Sequence, residues 1–544
     1  MATQGGGPAE GKSGDRAALA LLLLSVILFA LRARAAQVVG FGDSEALYAC
    51  YALHPQPAYL DHPGLIGEVG RILGRGLAPR PSETHLITAT AATLVPLLVA
   101  LVARVAGAGR IQASVAGLVT ASTPMLAVGL FAFTPDLLLA PLWLLVLALA
   151  LFGLGEEPGS TRGSISLLFA GVFSGLASSA KVSGFLLFPV LAAGLLLAPD
   201  RVVRRSPWAW MGMGLGLFVA APSLLYEASS GFPMLHHRLV ATQSSGPPLV
   251  KGLGALTVGQ LVYLSPLVLL LALLVARDLF AARRAADARI RLLALACFVP
   301  AAALCLFTLF SRQAEPHWIA PALLALPVHG AVQASRGKVL GSARLHKLAI
   351  GTGAALTLAV HAWVLSPGLL ALAPASYEPR YDIANELHGW PRAFEAIRES
   401  ITEDTIVVGP HWTICAQIHA GMPGVRVGCA TPIQDDFDRW LPRSEWKSAP
   451  RVLFVSDNRF DTRAEDIFPG WARTQESRVT ILRGGRRIRT FTLTRLEYAA
   501  HASRVNVPSP SCAGSTLVVP SAVDRSSQQR SPSPAASPLF LPSL

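Results

Sequence analysis

The chain has 544 residues, of which 52% are hydrophobic and 15% charged, and its mean hydropathy is +0.48. This composition excludes an ordinary soluble globule and predicts a polytopic α-helical membrane protein. The formal net charge of +13 comes mostly from arginines. They lie between apolar runs, without a basic patch interleaved with aromatic residues. We therefore interpret them as determinants of membrane topology and predict no nucleic-acid partner.

The first apolar run, residues 17–31, follows a polar segment at 1–16 that we expect to be cytoplasmic. The run could be a cleaved signal peptide, but we interpret it as a signal anchor. Ten further apolar runs follow, each near the ~20 residues that a span requires, which gives about 11 spans. These runs cover residues 84–103, 111–131, 134–154, 164–180, 182–198, 208–226, 256–276, 291–310, 317–334 and 348–372.

Arginine-rich connections alternate with connections that hold few basic residues. The positive-inside rule then places the amino terminus in the cytoplasm and the first loop, residues 32–83, outside. We expect a multi-pass protein of the inner (plasma) membrane, in contact with membrane lipids, whose transmembrane domain covers residues 17–373.

The composition changes after the last span. Short β-type runs at 405–408, 451–455 and 488–493 alternate with helical stretches. This pattern predicts a small extracytoplasmic α/β domain over residues 380–497. Residues 501–544 are rich in serine and proline, and we expect them to form a disordered tail.

Acidic residues stand out in the first loop. Asp43 and Glu45 come early in it, and Asp61 and His62 follow, with Glu45 and Asp61 sixteen positions apart. Carboxylates beside a bilayer are costly unless they face a polar cavity, so they are candidates for a functional site.

Two charged residues lie at the ends of predicted spans, and each has a structural and a functional interpretation. Asp136 follows Thr134-Pro135 and could simply begin a helix, facing its positive dipole end, or it could join an outward polar cavity. Lys181 lies between two apolar runs among serines and glycines. It could snorkel to the surface, or its ammonium could bind a lipid-linked phosphate, which is the role we predict.

Three later segments also hold polar candidates. Tyr226 and Glu227 precede a loop with two adjacent histidines, which we expect to shape a substrate cleft rather than bind a metal. Arg312, Glu315 and His317 precede the tenth span; Arg312 could clamp a phosphate, or the segment could be an ordinary interfacial one with a tryptophan. The spacing of His411, Cys415, His419 and Cys429 could suggest zinc, but we favour a disulfide between Cys415 and Cys429.

The loop motif resembles the first extracytoplasmic loop of the bacterial dolichyl-phosphate-mannose-protein mannosyltransferase-like glycosyltransferases, which have the GT-C fold. The Thr-Pro-Asp segment ending at Asp136, the Lys181 segment and the Glu-Pro-His-Trp segment starting at Glu315 are similar to further motifs of that family. One departure matters, because Ser44 stands where the family has its first aspartate and Asp43 lies one residue earlier. The resemblance therefore implies that the catalytic carboxylate is Asp43 or Glu45.

The resemblance also implies a function. We expect an inverting membrane glycosyltransferase that moves a sugar from a polyprenyl-phosphate donor to an acceptor hydroxyl of a protein, lipid A or envelope glycan. Asp43 is the first choice as base. No cofactor beyond this lipid-linked donor is predicted, no metal ligands are assigned, and a requirement for a divalent metal stays open. The substrate-binding residues would be Asp61, His62, Asp136, Lys181, Tyr226, Glu227, Arg312, Glu315 and His317. The alternatives are a multi-span transporter and an inactive GT-C-like scaffold.

Overall fold

The computed structural model describes residues 8–128, 132–241, 249–310, 314–460 and 462–498. Over these ranges the chain forms a bundle of long helices and a five-stranded sheet. The helices are α1 (Pro8–Ala35), α2 (Asp43–Tyr51), α3 (Leu65–Leu73), α4 (Pro81–Val105), α5 (Arg110–Ala121), α6 (Pro124–Val128), α7 (Asp136–Gly155), α8 (Thr161–Ala180), α9 (Leu187–Leu196), α10 (Arg201–Arg204), α11 (Pro207–Ser229), α12 (Pro233–Leu239), α13 (Leu249–Thr257), α14 (Gln260–Tyr263), α15 (Pro266–Ala281), α16 (Ala288–Phe310), α17 (Ala320–Leu323), α18 (Ala325–Ser335), α19 (Ala343–Leu365), α20 (Trp390–Ser400), α21 (Trp412–Gly421), α22 (Phe437–Trp440), α23 (Arg443–Lys447) and α24 (Ala464–Ile467). The strands are β1 (Thr405–Gly409), β2 (Val427–Cys429), β3 (Arg451–Asp457), β4 (Trp471–Arg483) and β5 (Arg486–Tyr498). The expected tail at 501–544 lies outside the described residues.

The predicted polytopic helical architecture is confirmed. Within the described ranges, seven helices are long and apolar enough to cross a membrane: α1, α4, α7, α8, α11, α16 and α19. Two segments bent by 118° against each other, Gly252–Tyr263 and Pro266–Arg284, would make an eighth span if they cross together. The expected count of about eleven is not confirmed, because the described parts of three other apolar runs form helices shorter than a span requires. Proline, which lacks the N–H that a continuous helix needs, begins α6 and interrupts the run at 317–334.

Helices α8 and α11 run in the same direction with their backbones in contact. Gly171 and Gly175 of α8 face Gly212 and Gly216 of α11, and a Cβ atom at any of the four would overlap backbone atoms across the interface. Small residues four positions apart allow this close approach between membrane helices. The ends of α8 and α11 are therefore held side by side.

The five-stranded sheet has the order β2-β1-β3-β5-β4. Strand β1 is parallel to β2 and β3, whereas β5 is antiparallel to β3 and β4. Helix α21 connects β1 to β2. The three strands expected from the sequence correspond to β1, β3 and β5, and the small carboxy-terminal α/β domain is confirmed. We refer to residues 390–498 as the sheet domain.

The first loop lies between the helix bundle and the sheet domain. Its helix α2 packs against α21 of the sheet domain and, except for Ser44, all of its residues are buried. The carboxyl end of α1 leads directly into this loop, and side chains of α2 contact α4 and the segment before α7. The loop therefore rests at one end of the bundle, which we call the loop end.

The glycine contact can be tested by a matched pair of substitutions in α11. Gly216→Ala places a methyl group against the Gly171 carbonyl and should destabilise the protein by about 1–3 kcal/mol. Gly214 has open space around its position, so Gly214→Ala should be neutral or stabilising by up to about 1 kcal/mol. Thermal unfolding in detergent measures both. Equal melting temperatures for the two variants would contradict the close packing of α8 and α11.

Candidate active site

A tight turn at the loop end presents Asp61 and His62. The turn is closed by an antiparallel bridge between Ala58 and Pro63. The hydroxyl of Tyr59 lies 2.9 and 2.8 Å from two carbonyl oxygens at and just after the end of α2. These contacts fix the turn on the helix, so the side chains of Asp61 and His62 have a defined position.

Asp136 and Lys181 form an ion pair across the bundle. The Lys181 ammonium donates to both carboxylate oxygens of Asp136, at 2.9 and 2.7 Å. Asp136 is the first residue of α7, and Lys181 is the residue at which α8 ends, so the two helix termini meet at the loop end. The side chains are only 16% and 8% exposed, respectively, which strengthens the attraction relative to a surface pair.

Glu315 and His317 approach this pair from the segment after α16. The His317 Nε2 atom lies 3.5 Å from an oxygen of Asp136. Burial lowers the pKa of His317 to about 4, so its ring is neutral near pH 7. Burial raises the pKa of Glu315 to about 8, against the opposing effect of Lys181 and Arg238. Glu315 is therefore largely protonated at neutral pH, although two cations lie near it.

Arg238 is a member of the site that the sequence analysis did not select. It lies in α12, and its guanidinium is 2.9 Å from the Asp61 carboxylate. The Nε2 atom of His237 is 3.8 Å from the same carboxylate oxygen. The signal that could have found Arg238 is weak, namely one arginine in a predicted outward connection that holds few other cations.

Tyr48 and His62 lie near both ion pairs, the one between Asp136 and Lys181 and the one between Asp61 and Arg238. Burial raises the pKa of the Tyr48 hydroxyl, and the negative charges of Asp61 and Asp136 add to this effect while Arg238 opposes it. Burial, followed by Arg238, Lys181 and His317, lowers the pKa of His62, so this ring is neutral. Its Nδ1 atom is buried and has no hydrogen-bond partner among the residues that the structure describes. We call the whole group the loop cluster; its members are Tyr48, Asp61, His62, Asp136, Lys181, His237, Arg238, Glu315 and His317.

Asp43 lies in a different environment, between the loop and the sheet domain. Its side chain is 1% exposed, and one oxygen accepts a hydrogen bond from Arg459 at 2.6 Å. The other oxygen accepts from Gln417 at 3.3 Å. Burial opposes ionisation of Asp43, but Arg459 and Arg489 hold its pKa below the ordinary value. Asp43 is thus an ionised carboxylate already paired with arginine.

Glu45 is also occupied by structural contacts. One oxygen accepts from the backbone N–H of Phe133 at 2.6 Å and lies 2.9 Å from His85 Nε2. The other accepts from the backbone N–H of Gly42 at 2.8 Å and so caps α2. Glu45 therefore ties the loop to α4 and to the segment that leads into Asp136. Among the described residues, the side-chain hydrogen bonds and ion pairs of Asp43 and Glu45 lead to residues outside the loop cluster.

Tyr226 and Glu227 lie at the end of α11 and support the loop. The hydroxyl of Tyr226 donates to the side-chain oxygen of Gln56 at 3.0 Å. An oxygen of Glu227 accepts from the backbone N–H of Met234 and thereby fixes the start of α12, which carries Arg238. Arg312 lies outside the described residues.

The sheet domain also positions Asp61. Asp436, which directly precedes α22, accepts hydrogen bonds from the backbone N–H of Leu60 at 3.3 and 3.2 Å and from the Tyr51 hydroxyl at 3.3 Å. Burial raises the pKa of Asp436 to about 7. The contact joins positions 376 residues apart in sequence, which is why pattern analysis did not reveal it.

In the part of the chain that the structure describes, no three His, Cys, Asp or Glu side chains are grouped as metal ligands. The zinc alternative is not supported by the arrangement of its candidate ligands. The His419 Nε2 atom faces that of His54 at 2.8 Å, and the ring of His411 stacks on Phe460.

Comparison with known proteins agrees with the overall fold. The sequence profile described as dolichyl-phosphate-mannose-protein mannosyltransferase matches residues 82–226. The crystal structure of ArnT from Cupriavidus metallidurans in the apo state aligns with a TM-score of 0.58 and 15% identity, covering 88% of this chain and 97% of that chain. The same protein bound to undecaprenyl phosphate aligns with a TM-score of 0.56 and 16% identity, covering 87% and 97%. No curated protein sequence matches the chain significantly.

The matched profile covers α4 to α11, which carry Asp136 and Lys181, and the alignment to ArnT extends the shared fold over most of the chain. These matches support the resemblance: the chain is a polytopic membrane protein with the GT-C fold of ArnT, and its residues 82–226 are similar to the dolichyl-phosphate-mannose-protein mannosyltransferases.

Proposed function

We propose that the protein is an integral-membrane glycosyltransferase that transfers a sugar from a polyprenyl-phosphate donor to an acceptor hydroxyl on the extracytoplasmic side. The observation that carries the proposal is the loop cluster, in which two cations, three carboxyl groups and three histidines lie together where several spans end. The ArnT structure of the same fold, which holds undecaprenyl phosphate, supports a lipid-linked donor. The sugar would come from this donor, and the acceptor would be a protein, lipid or glycan.

Lys181 and Arg238 are suited to hold the donor phosphate. Transfer breaks the bond between the anomeric carbon and the phosphate oxygen, and the leaving phosphate keeps the electron pair. The added negative charge needs fixed positive groups in a site of low exposure, where they act most strongly. Asp136 holds the Lys181 ammonium from one side through two hydrogen bonds, which fixes its direction and leaves its third hydrogen-bond donor for the phosphate.

We propose Asp61 as the general base. Its side chain is 26% exposed, whereas that of Asp136 is 16% exposed and accepts two hydrogen bonds from Lys181. The acceptor oxygen would form a bond to the anomeric carbon while its proton passes to Asp61. A single displacement of this kind inverts the configuration of the sugar.

Asp43 and Glu45, which the resemblance suggested as catalytic, receive a positioning role in this proposal. An acceptor hydroxyl must come within hydrogen-bond distance of its base. The Asp43 carboxylate is enclosed by Arg459 and Gln417, and that of Glu45 by backbone N–H groups and His85. Neither oxygen pair could accept a proton without breaking contacts that hold the loop.

The second candidate is an inactive relative that binds the lipid donor without transferring the sugar. Ser44 stands at the aspartate position of the family motif and favours this candidate. An assay with purified protein, radiolabelled polyprenyl-phosphate sugars and a panel of acceptors distinguishes the two. Acceptor-dependent transfer supports the enzyme, donor binding without transfer supports the inactive relative, and solute uptake into liposomes without transfer supports a transporter.

Replacing Lys181 tests the phosphate site. Lys181→Met removes the ammonium but keeps an apolar stem of similar length, so we expect transfer to fall by roughly 100-fold or more. Lys447→Met, at an exposed position of α23, serves as the control and should keep full activity. Initial rates with saturating acceptor provide the measurement. Unchanged transfer by Lys181→Met would remove this lysine from the mechanism.

A pair of Asp→Asn changes separates chemistry from positioning. Asp61→Asn keeps the shape of the side chain but removes the proposed base, so turnover should fall by roughly 1000-fold while donor binding and the melting temperature change little. Asp43→Asn should instead lower the melting temperature, because Arg459 loses its charged partner. Turnover and thermal unfolding measured on both variants check this assignment. The reverse result, with Asp43→Asn folded but inactive, would return the catalytic role to Asp43.

Glu315 should give donor binding a pH dependence. Its pKa of about 8 means that it becomes negatively charged as the pH rises through that value. The new charge repels an anionic phosphate, so the donor affinity of the wild-type protein should fall several-fold above about pH 8. Glu315→Gln stays neutral and should bind with constant affinity over the same range. Titrations with a polyprenyl-phosphate sugar below and above this pH give the comparison, and parallel curves for the two proteins would exclude Glu315 as the cause.

The same proton has an effect on stability. The pKa of Glu315 is about 8 in the folded protein and near 4.5 in the unfolded protein, so the folded protein binds this proton more tightly. The contribution of this group to the free energy of unfolding is therefore greatest at low pH and decreases as the pH rises from about 4.5 to about 8.

A further inference from the structure

Two buried cysteines of the sheet domain face each other. The Sγ atom of Cys415, in α21, lies 2.6 Å from that of Cys429, the last residue of β2. Both residues are essentially inaccessible, at 0% and 1% exposure. A disulfide bond joins sulphur atoms about 2.05 Å apart, so a shift of roughly 0.5 Å closes this pair.

Few other contacts compete for these sulphur atoms. The Cys415 thiol is 3.5 Å from the carbonyl oxygen of Gly428, and Cys429 is 3.0 Å from the hydroxyl of Thr431. Thiols are weak hydrogen-bond donors, so neither contact opposes a bond between the two sulphur atoms. A third buried thiol, Cys50 of α2, instead donates to a backbone carbonyl of α21 at 3.3 Å.

We propose that Cys415 and Cys429 are joined by a disulfide bond, formed when the sheet domain folds on the extracytoplasmic side. The extracytoplasmic placement comes from the proposed function; the pairing comes from the geometry. In the reaction the two thiols lose two protons and two electrons as one S–S bond forms. A protein disulfide in that compartment accepts the electrons and is reduced to two thiols.

The bond has to form before the domain closes. Burial raises the pKa of both thiols in the folded protein, whereas exchange with an oxidant requires a thiolate and access to it. Once formed, the bond is shielded by the same burial. A reductant added to the folded protein should therefore leave it intact, and reduction should require unfolding.

The bond would stabilise the surface that holds the first loop. Directly after Cys415 in α21, the Ala416 carbonyl accepts from the thiol of Cys50, and the Gln417 side chain donates to the carbonyl oxygen of Phe41 at 2.8 Å. Linking Cys415 to Cys429 ties this turn of α21 to the edge strand β2. The crosslink would then make local opening of the sheet at β2 less favourable, and the contacts between α21 and α2 would be kept.

Peptide mapping of the full-length wild-type protein tests the bond directly. The protein is unfolded in the presence of an alkylating reagent without reductant, digested and analysed by mass spectrometry. We expect one crosslinked peptide pair containing Cys415 and Cys429, with Cys50 alkylated. Alkylation of both Cys415 and Cys429, or a crosslink from Cys415 to Cys50, would overturn the proposal. The result does not depend on sugar transfer, so it can fail or succeed separately from the proposed function.

A matched pair of variants tests the consequence. Cys429→Ser should lower the melting temperature by roughly 5 °C and remove the difference between unfolding with and without reductant. Cys50→Ser changes a thiol of the same core but should retain the crosslink and the reductant-dependent difference. Equal responses to reductant in wild type and Cys429→Ser would overturn the stabilising role. Peptide mapping uses the wild-type chain, so it tests the pairing of Cys415 with Cys429 even if a variant folds poorly.

Discussion

The arrangement of the loop end depends on a buried network of opposite charges. Arg459 contacts Asp43 at 2.6 Å and Asp457 at 2.8 Å, and Arg489 lies 3.7 Å from Asp457. The two carboxylates and two guanidinium groups balance, which is the condition under which charges tolerate burial. Removing one partner from such a network costs about 3–5 kcal/mol, because its counterpart stays buried. The network therefore fixes the first loop to the sheet domain.

This arrangement divides the acidic residues of the loop into two groups. Asp43 and Glu45, at the start of α2, are used to hold the loop to its neighbours. Asp61 lies in the turn between Ala58 and Pro63 and faces Arg238 instead. Similar side chains thus differ in role because of what surrounds them. The sheet domain helps to position Asp61, since Asp436 accepts a hydrogen bond from the backbone of the neighbouring Leu60.

The sequence predicted the parts of this protein that depend on local patterns. Hydropathy found the long helices, and charge at the ends of apolar runs selected Asp136 and Lys181, which the structure brings into contact. Contacts between distant segments gave no such signal, so Arg238 and Asp436 were not selected. Strand β2 has only three residues and β4 is largely polar, so neither formed a recognisable apolar alternation. Family resemblance pointed to Asp43, but the resemblance could not show that an arginine 416 residues away encloses it.

The glycine contact between α8 and α11 has a consequence for ligand size. Lys181 directly follows α8, and Arg238 lies in α12, which follows α11 after a short connection. Because the two backbones touch, they form one stiff frame that carries both cations. In the proposed function, this frame would set the distance between the Lys181 ammonium and the Arg238 guanidinium and would therefore favour donor head groups of one size. Differences between substrates would then lie in the sugar or the acceptor, beyond the part of the donor that the two cations hold.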